Sequence, residues 1–366
     1  MGMPETDEQY MRECFSLAHR GAGYVSPNPM VGAVIVKDGA VIGTGYHQKF
    51  GEPHAEVHAI ISATGGVEGA TVYVNLEPCN YTGKTPPCTE LLIASKVRRV
   101  VVGMKDPNPR VSGKGLKQLQ QAGIEVTFGV LEEEAKKLNE VFVKYIRHKI
   151  PFVALKIAQT LDGKVADMNG KSQWITDKEA RQFVHRLRAE YDAIMVGAKT
   201  VIEDNPSLNV REVEGRNPIR VIVDGNFSVP AEAKVFNDNT AKTILFIGSK
   251  RFRKQIDKKL KLESKGISIV EMPDPVPGYM AFDTILKELG KQGIASILVE
   301  GGATTFSHFV EQRQADKAYI FISPKIFGQG LSVFEQISSR LLGNEIRLKD
   351  ITFHQLQQDV LLEGYF

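Results

Sequence analysis

Short apolar runs alternate with helical spacings along the first 149 residues. A continuous apolar run predicts a buried strand, and apolar residues three and four positions apart predict a helix. These patterns predict strands at 31–36, 41–46, 71–75, 98–104 and 124–128, and helices at 7–19, 54–63, 88–94, 114–122 and 132–147. The order is typical of a sheet that is covered by helices on both faces.

A second alternation of strands and helices begins after Pro151. It predicts strands at 152–160, 193–196, 219–223, 243–247, 267–271, 296–300 and 318–322, and helices at 177–189, 251–260, 278–290 and 303–313. A chain of 366 residues is too long for one ordinary compact domain. We therefore predict two α/β domains, residues 1–149 and 150–366.

Composition and charge exclude several classes of protein. The 46 basic and 43 acidic residues nearly cancel, so the basic face of a nucleic-acid-binding protein is not expected. No run of 18 apolar residues exists, so no membrane segment is expected. The first residues lack the apolar core of a secretory signal, and three cysteines are too few for a disulfide framework. These features predict a cytoplasmic protein.

Four residues predict a catalytic metal site. His54-Ala55-Glu56 is followed by Pro78-Cys79 and then by Cys88. A catalytic zinc takes three protein ligands and keeps one position open for water, whose pKa it lowers to roughly 7. One histidine and two thiolates supply those ligands. Glu56 would then move the water proton, as in zinc deaminases of the H-x-E, P-C-x-x-C type.

The spacing of the two cysteines departs from that pattern. Residues 80–87 separate Cys79 from Cys88, so this loop must fold back for both thiolates to reach one metal. Cys88 would begin the next helix, where the helix dipole favours a thiolate. We assign Cys14 to the hydrophobic core. His58, one turn after His54, is an alternative fourth ligand.

The segment 78–88 (PCNYTGKTPPC) resembles the zinc motif of the bifunctional deaminase–reductases of bacterial riboflavin biosynthesis. Further matching motifs extend over nearly the whole chain: Asn28-Pro29, Asp106-Pro107-Asn108-Pro109, Asn139-Glu140, Lys156, Leu161-Asp162-Gly163-Lys164, Trp174-Ile175-Thr176, Asp204-Asn205-Pro206 and Val299-Glu300-Gly301-Gly302. One departure is Asn80-Tyr81, where that family usually has Ser-His.

The resemblance implies a fold and a reaction for each domain. The first would be a cytidine-deaminase-like αβα sandwich that hydrolytically deaminates a diaminopyrimidinone carrying a ribosyl phosphate. The second would be a dihydrofolate-reductase-like α/β domain that reduces the ribosyl group to ribityl with NADPH. The partners implied are Zn²⁺, NADPH, this small phosphorylated pyrimidine and further copies of the chain, in a dimer or larger homo-oligomer.

The resemblance also implies binding residues, position by position. Those expected to contact NADPH are Ala158, Trp174, Thr200, Asp204, Ser228, Gly302, Ala303, Thr304, Thr305, Phe306, Ser307 and His308. Those expected to contact the reductase substrate are Ser172, Arg188, Leu208, Arg211 and Glu300, and those expected to contact the deaminase substrate are Asn28, Asp106 and Asn108. Glycines at a helix start suit a pyrophosphate, and arginine suits a phosphate.

Several alternatives stay open at this point. Ser249-Lys250-Arg251 is a candidate for the 2′-phosphate of NADPH or an exposed basic turn. The chain as a whole could be an RNA-base or free-nucleobase deaminase with an accessory domain, but that class predicts C-x-x-C spacing. A zinc-stabilised binding protein without catalysis would leave Glu56 unexplained.

Overall fold

The computed structural model describes residues 5–83, 86–109, 111–249, 255–274, 276, 278, 280–334, 337–338 and 340–366. The chain divides into two compact units, Met1–Lys149 and Ile150–Phe366. Within the described ranges, no helix combines the length and apolar character needed to cross a membrane.

The first unit contains one five-stranded sheet. Its elements are α1 (Glu5–His19), β1 (Gly32–Lys37), β2 (Ala40–Tyr46), α2 (Ala55–Ile61), β3 (Thr71–Leu76), α3 (Cys88–Ala94), β4 (Arg99–Met104), α4 (Lys114–Gln121), β5 (Glu125–Phe128), α5 (Glu132–Leu138) and α6 (Glu140–His148). The strand order is β2-β1-β3-β4-β5. β3, β4 and β5 are parallel, whereas β1 is antiparallel to both of its neighbours.

Alternate side chains of these strands enter two separate cores. Ala33 and Ile35 pack with residues of α2, α3 and α4 on one face. Val34 and Val36 pack on the opposite face with Met11 and the other buried side chains of α1. Because the strands are apolar on both sides, they appear in the sequence as continuous hydrophobic runs. The predicted three-layer sandwich is confirmed.

The second unit is built on a nine-stranded mixed sheet. Its elements are β6 (Phe152–Thr160), β7 (Lys164–Ala166), α7 (Lys178–Glu190), β8 (Ala193–Gly197), α8 (Ala198–Asp204), β9 (Ile219–Asp224), a short 3₁₀ helix (Lys234–Phe236), β10 (Thr243–Gly248), α9 (Ile256–Glu263), β11 (Ser268–Met272), α10 (Phe282–Lys291), β12 (Ser296–Val299), α11 (Ala303–Glu311), β13 (Lys317–Ser323), β14 (Leu331–Ser332), β15 (Lys349–Leu356) and β16 (Asp359–Tyr365). The strand order is β11-β10-β9-β8-β12-β6-β13-β16-β15, and β14 pairs with β7 separately.

Two cores again lie on opposite faces of this sheet. One contains residues of α10 and α11, and the other contains residues of α8 and α9. The first seven strands in the order are parallel, and the β15–β16 hairpin closes one edge in antiparallel pairing. The predicted α/β class of this half is confirmed.

The structure differs from the sequence prediction in several places, and the short elements β7, α8 and β14 were not predicted. The helix predicted at 132–147 is broken at Asn139, whose side chain accepts a hydrogen bond from Met30 N at 2.8 Å and donates one to Met30 O at 3.0 Å. The hairpin of β15 and β16 was not predicted. Seven of the eight residues of β15 are exposed, so the strand carries no alternating apolar signal.

Gly45 sets the distance between β2 and α2, the helix that carries Glu56. A Cβ at position 45 would collide with the backbone of Ala55 and Ala59. Replacement of Gly45 by Ala should therefore push α2 from the sheet and lower the free energy of unfolding by about 1–3 kcal/mol. Gly65→Ala is the matched control, because a Cβ there meets nothing within 4 Å. Denaturant titration of both variants checks this, and equal stability would contradict it.

Candidate active sites

The structure brings three of the four zinc-motif residues together as a ligand set. His54 immediately precedes α2, Cys79 follows β3 by three residues, and Cys88 is the first residue of α3. His54 Nδ1 lies 3.2 Å from Cys88 Sγ and 3.6 Å from Cys79 Sγ. All three ligand atoms lie within 4.8 Å of one another.

Hydrogen bonds between Cys79 and the start of α3 close the eight-residue gap. The backbone N–H of Cys88 donates to Cys79 Sγ at 3.3 Å. The backbone N–H of Thr89 donates to Cys79 O at 3.1 Å, and the Thr89 hydroxyl lies 3.2 Å from the same oxygen. The two cysteines are therefore held against each other by α3 itself, whatever the length of the intervening loop.

The donor set fits zinc. Tetrahedral zinc with Zn–N of about 2.0 Å and Zn–S of about 2.3 Å places a nitrogen and a sulfur ligand about 3.5 Å apart. The two His54–cysteine distances, 3.2 and 3.6 Å, bracket that value. One imidazole and two thiolates also leave a fourth position for water. His58 is not part of the ligand group found among the described residues, and Cys14 is buried in the core.

Glu56 stands beside this group in the second position of α2. Its side chain is only 3% exposed, and burial raises the pKa of its carboxyl group. A hydrogen bond from the Cys88 thiol, together with His54, lowers the pKa of Cys79 to about 4. The site thus combines a thiolate ligand with a buried carboxyl group whose raised pKa suits it to accept and return a proton.

A pocket of about 460 Å³ opens beside these residues. Asn28, Asp106 and Asn108, which were expected to contact the deaminase substrate, all line it, as does Tyr81. Burial raises the pKa of Asp106 to about 6.

Sequence reasoning missed two polar residues that line the same pocket, His47 and Glu77. His47 Nε2 lies 3.2 Å from Asn28 Nδ2, and its Nδ1 lies 3.1 Å from Pro53 O. Its ring meets the His54 ring edge-on, with centroids 5.5 Å apart. No local pattern marks His47, whereas Glu77 directly precedes Pro78-Cys79 and could have been found by that position.

The second unit holds a separate pocket of about 360 Å³, at the carboxyl ends of β8 and β12 and the start of α11. Most of the residues expected to contact cofactor or substrate line it: Ala158, Ser172, Trp174, Arg188, Thr200, Asp204, Leu208, Arg211, Glu300, Gly302, Ala303, Thr304, Thr305 and Phe306. The start of α11 offers free backbone N–H groups, which suit a pyrophosphate.

Three of the expected residues lie outside this lining. Ser228 donates to Asp224 Oδ1 at 2.9 Å, beyond β9. Ser307 is fully buried, and the His308 ring packs against Phe282 with centroids 6.0 Å apart. Of the basic segment at 249–251, Lys250 and Arg251 lie outside the described residues.

Arg188 enters the pocket already paired. Its Nε and Nη2 atoms donate to Glu300 at 2.7 and 2.8 Å, and Nη1 donates to Asn209 O at 3.0 Å. Burial raises the pKa of Glu300, but the charge of Arg188 outweighs it and lowers that pKa to about 2. Lys156 Nζ lies 3.8 Å from Glu300, and burial lowers its pKa. The arginine therefore meets a ligand as part of an ion cluster.

Trp174 forms an exposed wall of this pocket, with 59% of its surface accessible. Lys325 Nζ donates to the carbonyl oxygens of Trp174 and Ile175 at 3.0 and 2.7 Å. The Arg181 guanidinium lies 4.7 Å from the centre of the indole ring. Two cations thus hold the backbone and the ring of the only tryptophan in the chain.

Comparison with known proteins identifies both halves. Residues 4–104 match the family model of the cytidine and deoxycytidylate deaminase zinc-binding region, and residues 151–362 match that of the RibD C-terminal domain. The chain belongs to the RibD family. It is 44% identical to the riboflavin biosynthesis protein RibD of Aquifex aeolicus, over 98% of each chain. It is 39% identical to the Escherichia coli protein, over 94% of this chain and 96% of that one.

Solved structures agree with this assignment. A deaminase/reductase from Thermotoga maritima is 43% identical, with a TM-score of 0.86 and 98% of each chain covered. Acinetobacter baumannii RibD is 38% identical, with a TM-score of 0.86 and 99% of each chain covered.

The predicted family and the bifunctional activity are thereby confirmed. The chain is a deaminase and a reductase of riboflavin biosynthesis that acts on a small molecule, with zinc and NADPH as cofactors. The alternative of an RNA-base deaminase with an accessory domain is wrong, because the second half is a RibD reductase domain.

Trp174 gives a direct optical test of the second pocket. Arg181→Gln removes the cation over the indole ring, an interaction of about 0.5–1 kcal/mol at an exposed site. We expect NADPH to quench tryptophan fluorescence in the unmodified chain, and the Kd for NADPH to rise about two- to fivefold in the variant.

Arg186→Gln is the matched control for this titration. Arg186 lies on the same helix, α7, but stacks on Phe183 and does not line the pocket. An identical titration for both variants would show that Arg181 does not support Trp174 at a cofactor site.

Proposed function

We propose that His54, Cys79 and Cys88 hold the zinc and that Glu56 is the proton carrier for deamination of a diaminopyrimidinone bearing a ribosyl phosphate. The observation that carries this assignment is the convergence of the three ligand atoms beside a buried glutamate at the edge of one pocket. Its ligand count and its nearby carboxylate match the arrangement of zinc deaminases.

The reaction replaces the exocyclic amine of the pyrimidinone by oxygen. Zinc in this site supplies the Lewis acidity that makes water a nucleophile at neutral pH. Glu56 accepts a proton from the attacking water and passes it to the ring nitrogen, and it then carries the remaining hydroxyl proton to the departing amine. The carbon–nitrogen bond breaks, ammonia leaves, and the ring carbon keeps the oxygen as a carbonyl. The raised pKa of Glu56 suits it to both directions of transfer.

Three side chains are proposed to hold this substrate. Asn28 is oriented by its contact with His47, and the Asp106 side chain accepts a hydrogen bond from Asn108 N at 2.7 Å. These groups offer amide and carboxyl partners for the polar edge of a pyrimidine. Tyr81, which is 50% exposed, lines the same pocket.

The second pocket is proposed to bind NADPH along the start of α11 and the ribosyl group beside Glu300. NADPH bound there would supply a hydride to the anomeric carbon of the sugar; the bond from that carbon to the ring oxygen would break, and a proton would go to that oxygen. Lys156 is a half-buried lysine of this pocket, and its lowered pKa suits it to donate that proton. Arg211 lines the same pocket, and its Nη1 donates to Asn209 Oδ1 at 3.1 Å; it is proposed to meet the substrate phosphate.

We further propose that the enzyme works in the cytoplasm as a homo-oligomer. None of the three cysteines forms a disulfide, which is the usual state of cysteines in a reducing cytoplasm. β15 lies at the edge of its sheet and exposes Ile351 and Phe353, and such an edge is a template for pairing with another chain.

Replacement of Glu56 by Gln separates the two activities. We expect the variant to keep one zinc per chain and to release ammonia about 100- to 10,000-fold more slowly, because the proton carrier is lost. NADPH oxidation with the deaminated intermediate should stay unchanged. Metal analysis, ammonia release and absorbance at the NADPH band measure these three quantities.

Glu68→Gln serves as the control, since Glu68 is a surface residue whose carboxylate is 71% exposed. Normal ammonia release by the Glu56 variant would contradict the proton-carrier role. Failure of the unmodified chain to oxidise NADPH with the deaminated intermediate would contradict the reductase assignment.

A further inference from the structure

The pocket beside the zinc ligands contains one buried carboxylate to which the deamination chemistry gives no role. Glu77 is 3% exposed and lies between the end of β3 and Cys79. It belongs to neither the ligand set nor the residues expected to contact substrate. A buried carboxylate is costly unless hydrogen bonds compensate it, so its partners show what it does.

Among the residues that the structure describes, the hydrogen-bond partners of the Glu77 carboxylate are all backbone N–H groups. Glu77 Oε2 accepts from Asp106 at 3.1 Å and from Gly113 at 2.9 Å. Glu77 Oε1 accepts from Gly115 at 2.9 Å and from Leu116 at 3.4 Å. Gly113, Gly115 and Leu116 belong to the start of α4, whose first N–H groups have no partner within the helix. The carboxylate thus joins three segments: the chain before Cys79, the turn carrying Asp106, and α4.

The packing around Pro78 supports the same connection. A Cβ at Gly115 would collide with the carbonyl oxygen of Pro78, so the first turn of α4 lies directly against the residue before Cys79. At this contact only glycine lets the helix approach so closely. Glu77 and Gly115 therefore fix the ligand-bearing segment from two sides.

α4 also reaches the second cysteine. The Thr89 hydroxyl, next to Cys88, lies 2.9 Å from Gln118 Oε1 and 3.2 Å from Cys79 O. One helix is thus connected to the segment of Cys79 through Glu77 and to the segment of Cys88 through Gln118. In the usual C-x-x-C arrangement one helical turn would set both cysteines, and here residues 80–87 intervene.

We propose that Glu77 is a positioning residue of the deaminase, which sets Cys79 and Asp106 relative to each other by anchoring both to α4. It acts through those two residues and does not touch the reacting atoms. This inference rests on the proposed zinc site. It concerns residues outside the ligand set, because the hydrogen-bond network around Glu77 would determine the relative positions of Cys79 and Asp106.

The test replaces Glu77 by Gln and loads the full-length chain with Co²⁺ alone, whose visible absorption reports the geometry of its ligands. Glutamine has the same shape but presents an NH₂ group to two N–H donors, so two of the four bonds are lost. We expect the Co²⁺ absorption to shift and kcat/KM for deamination to fall about tenfold or more. NADPH oxidation in the same chain should stay unchanged.

Asp7→Asn is the matched control for the loss of a buried carboxylate. Asp7 is 2% exposed and bonds to Tyr73 and Arg99 on the opposite face of the same sheet. The Asp7→Asn substitution should lower the stability of the first unit without shifting the Co²⁺ spectrum. If the Glu77 variant has the Co²⁺ spectrum and deaminase kinetics of the unmodified chain, the proposal is overturned.

Thr89→Val keeps the test decisive if the Glu77 variant does not fold. It cuts the other connection to α4 while preserving side-chain shape, and the same shift of the spectrum and fall in kcat/KM are expected. An unshifted spectrum with normal turnover overturns the proposal. If instead the unmodified chain binds no Co²⁺ or releases no ammonia, the proposed function itself fails, which separates the two outcomes.

Discussion

The pairing of Cys79 with the first residues of α3 is the interaction on which the deaminase site depends. The backbone N–H groups of Cys88 and Thr89 donate to the sulfur and the carbonyl oxygen of Cys79, at 3.3 and 3.1 Å. These bonds join the two cysteine segments directly. The loop that follows Cys79 places Tyr81 at the pocket.

Both active sites use the same feature of an α/β fold. Cys79 and Asp106 follow the carboxyl ends of the parallel strands β3 and β4, and Glu300 follows that of β12. Loops at these ends of a sheet converge on one crevice, which is where such folds bind ligands. The two sites differ in charge. The first surrounds its ligand atoms with buried carboxyl groups, whereas the second contains an ion cluster of Arg188, Glu300 and Lys156.

The sequence predicted the strands most accurately where both faces of a strand are buried. Strands such as β1 and β4 are apolar on both faces, so they appear as continuous runs and were predicted within one or two residues. β15 has almost no buried residue and left no such signal. The break at Asn139 depends on a hydrogen bond to Met30, over a hundred positions away, which no local pattern reveals.

The candidate sites divide in the same way. His54, Glu56, Cys79 and Cys88 are marked by residue type and spacing, because metal chemistry restricts which side chains can serve. The contacts of Glu77 and the pairing of Arg188 with Glu300 are long-range, and residue type alone does not distinguish them from surface charges. Family resemblance supplied fourteen of the residues that line the second pocket, but only the structure showed that Arg188 is already engaged.

X-ray absorption at the zinc edge of the purified full-length chain tests the central claim most directly, because it counts the ligand atoms around the metal. One zinc per chain with two sulfur neighbours at about 2.3 Å and two nitrogen or oxygen neighbours at about 2.0 Å is the predicted result. A single sulfur neighbour would show that Cys79 and Cys88 do not meet on one metal, and would contradict the account.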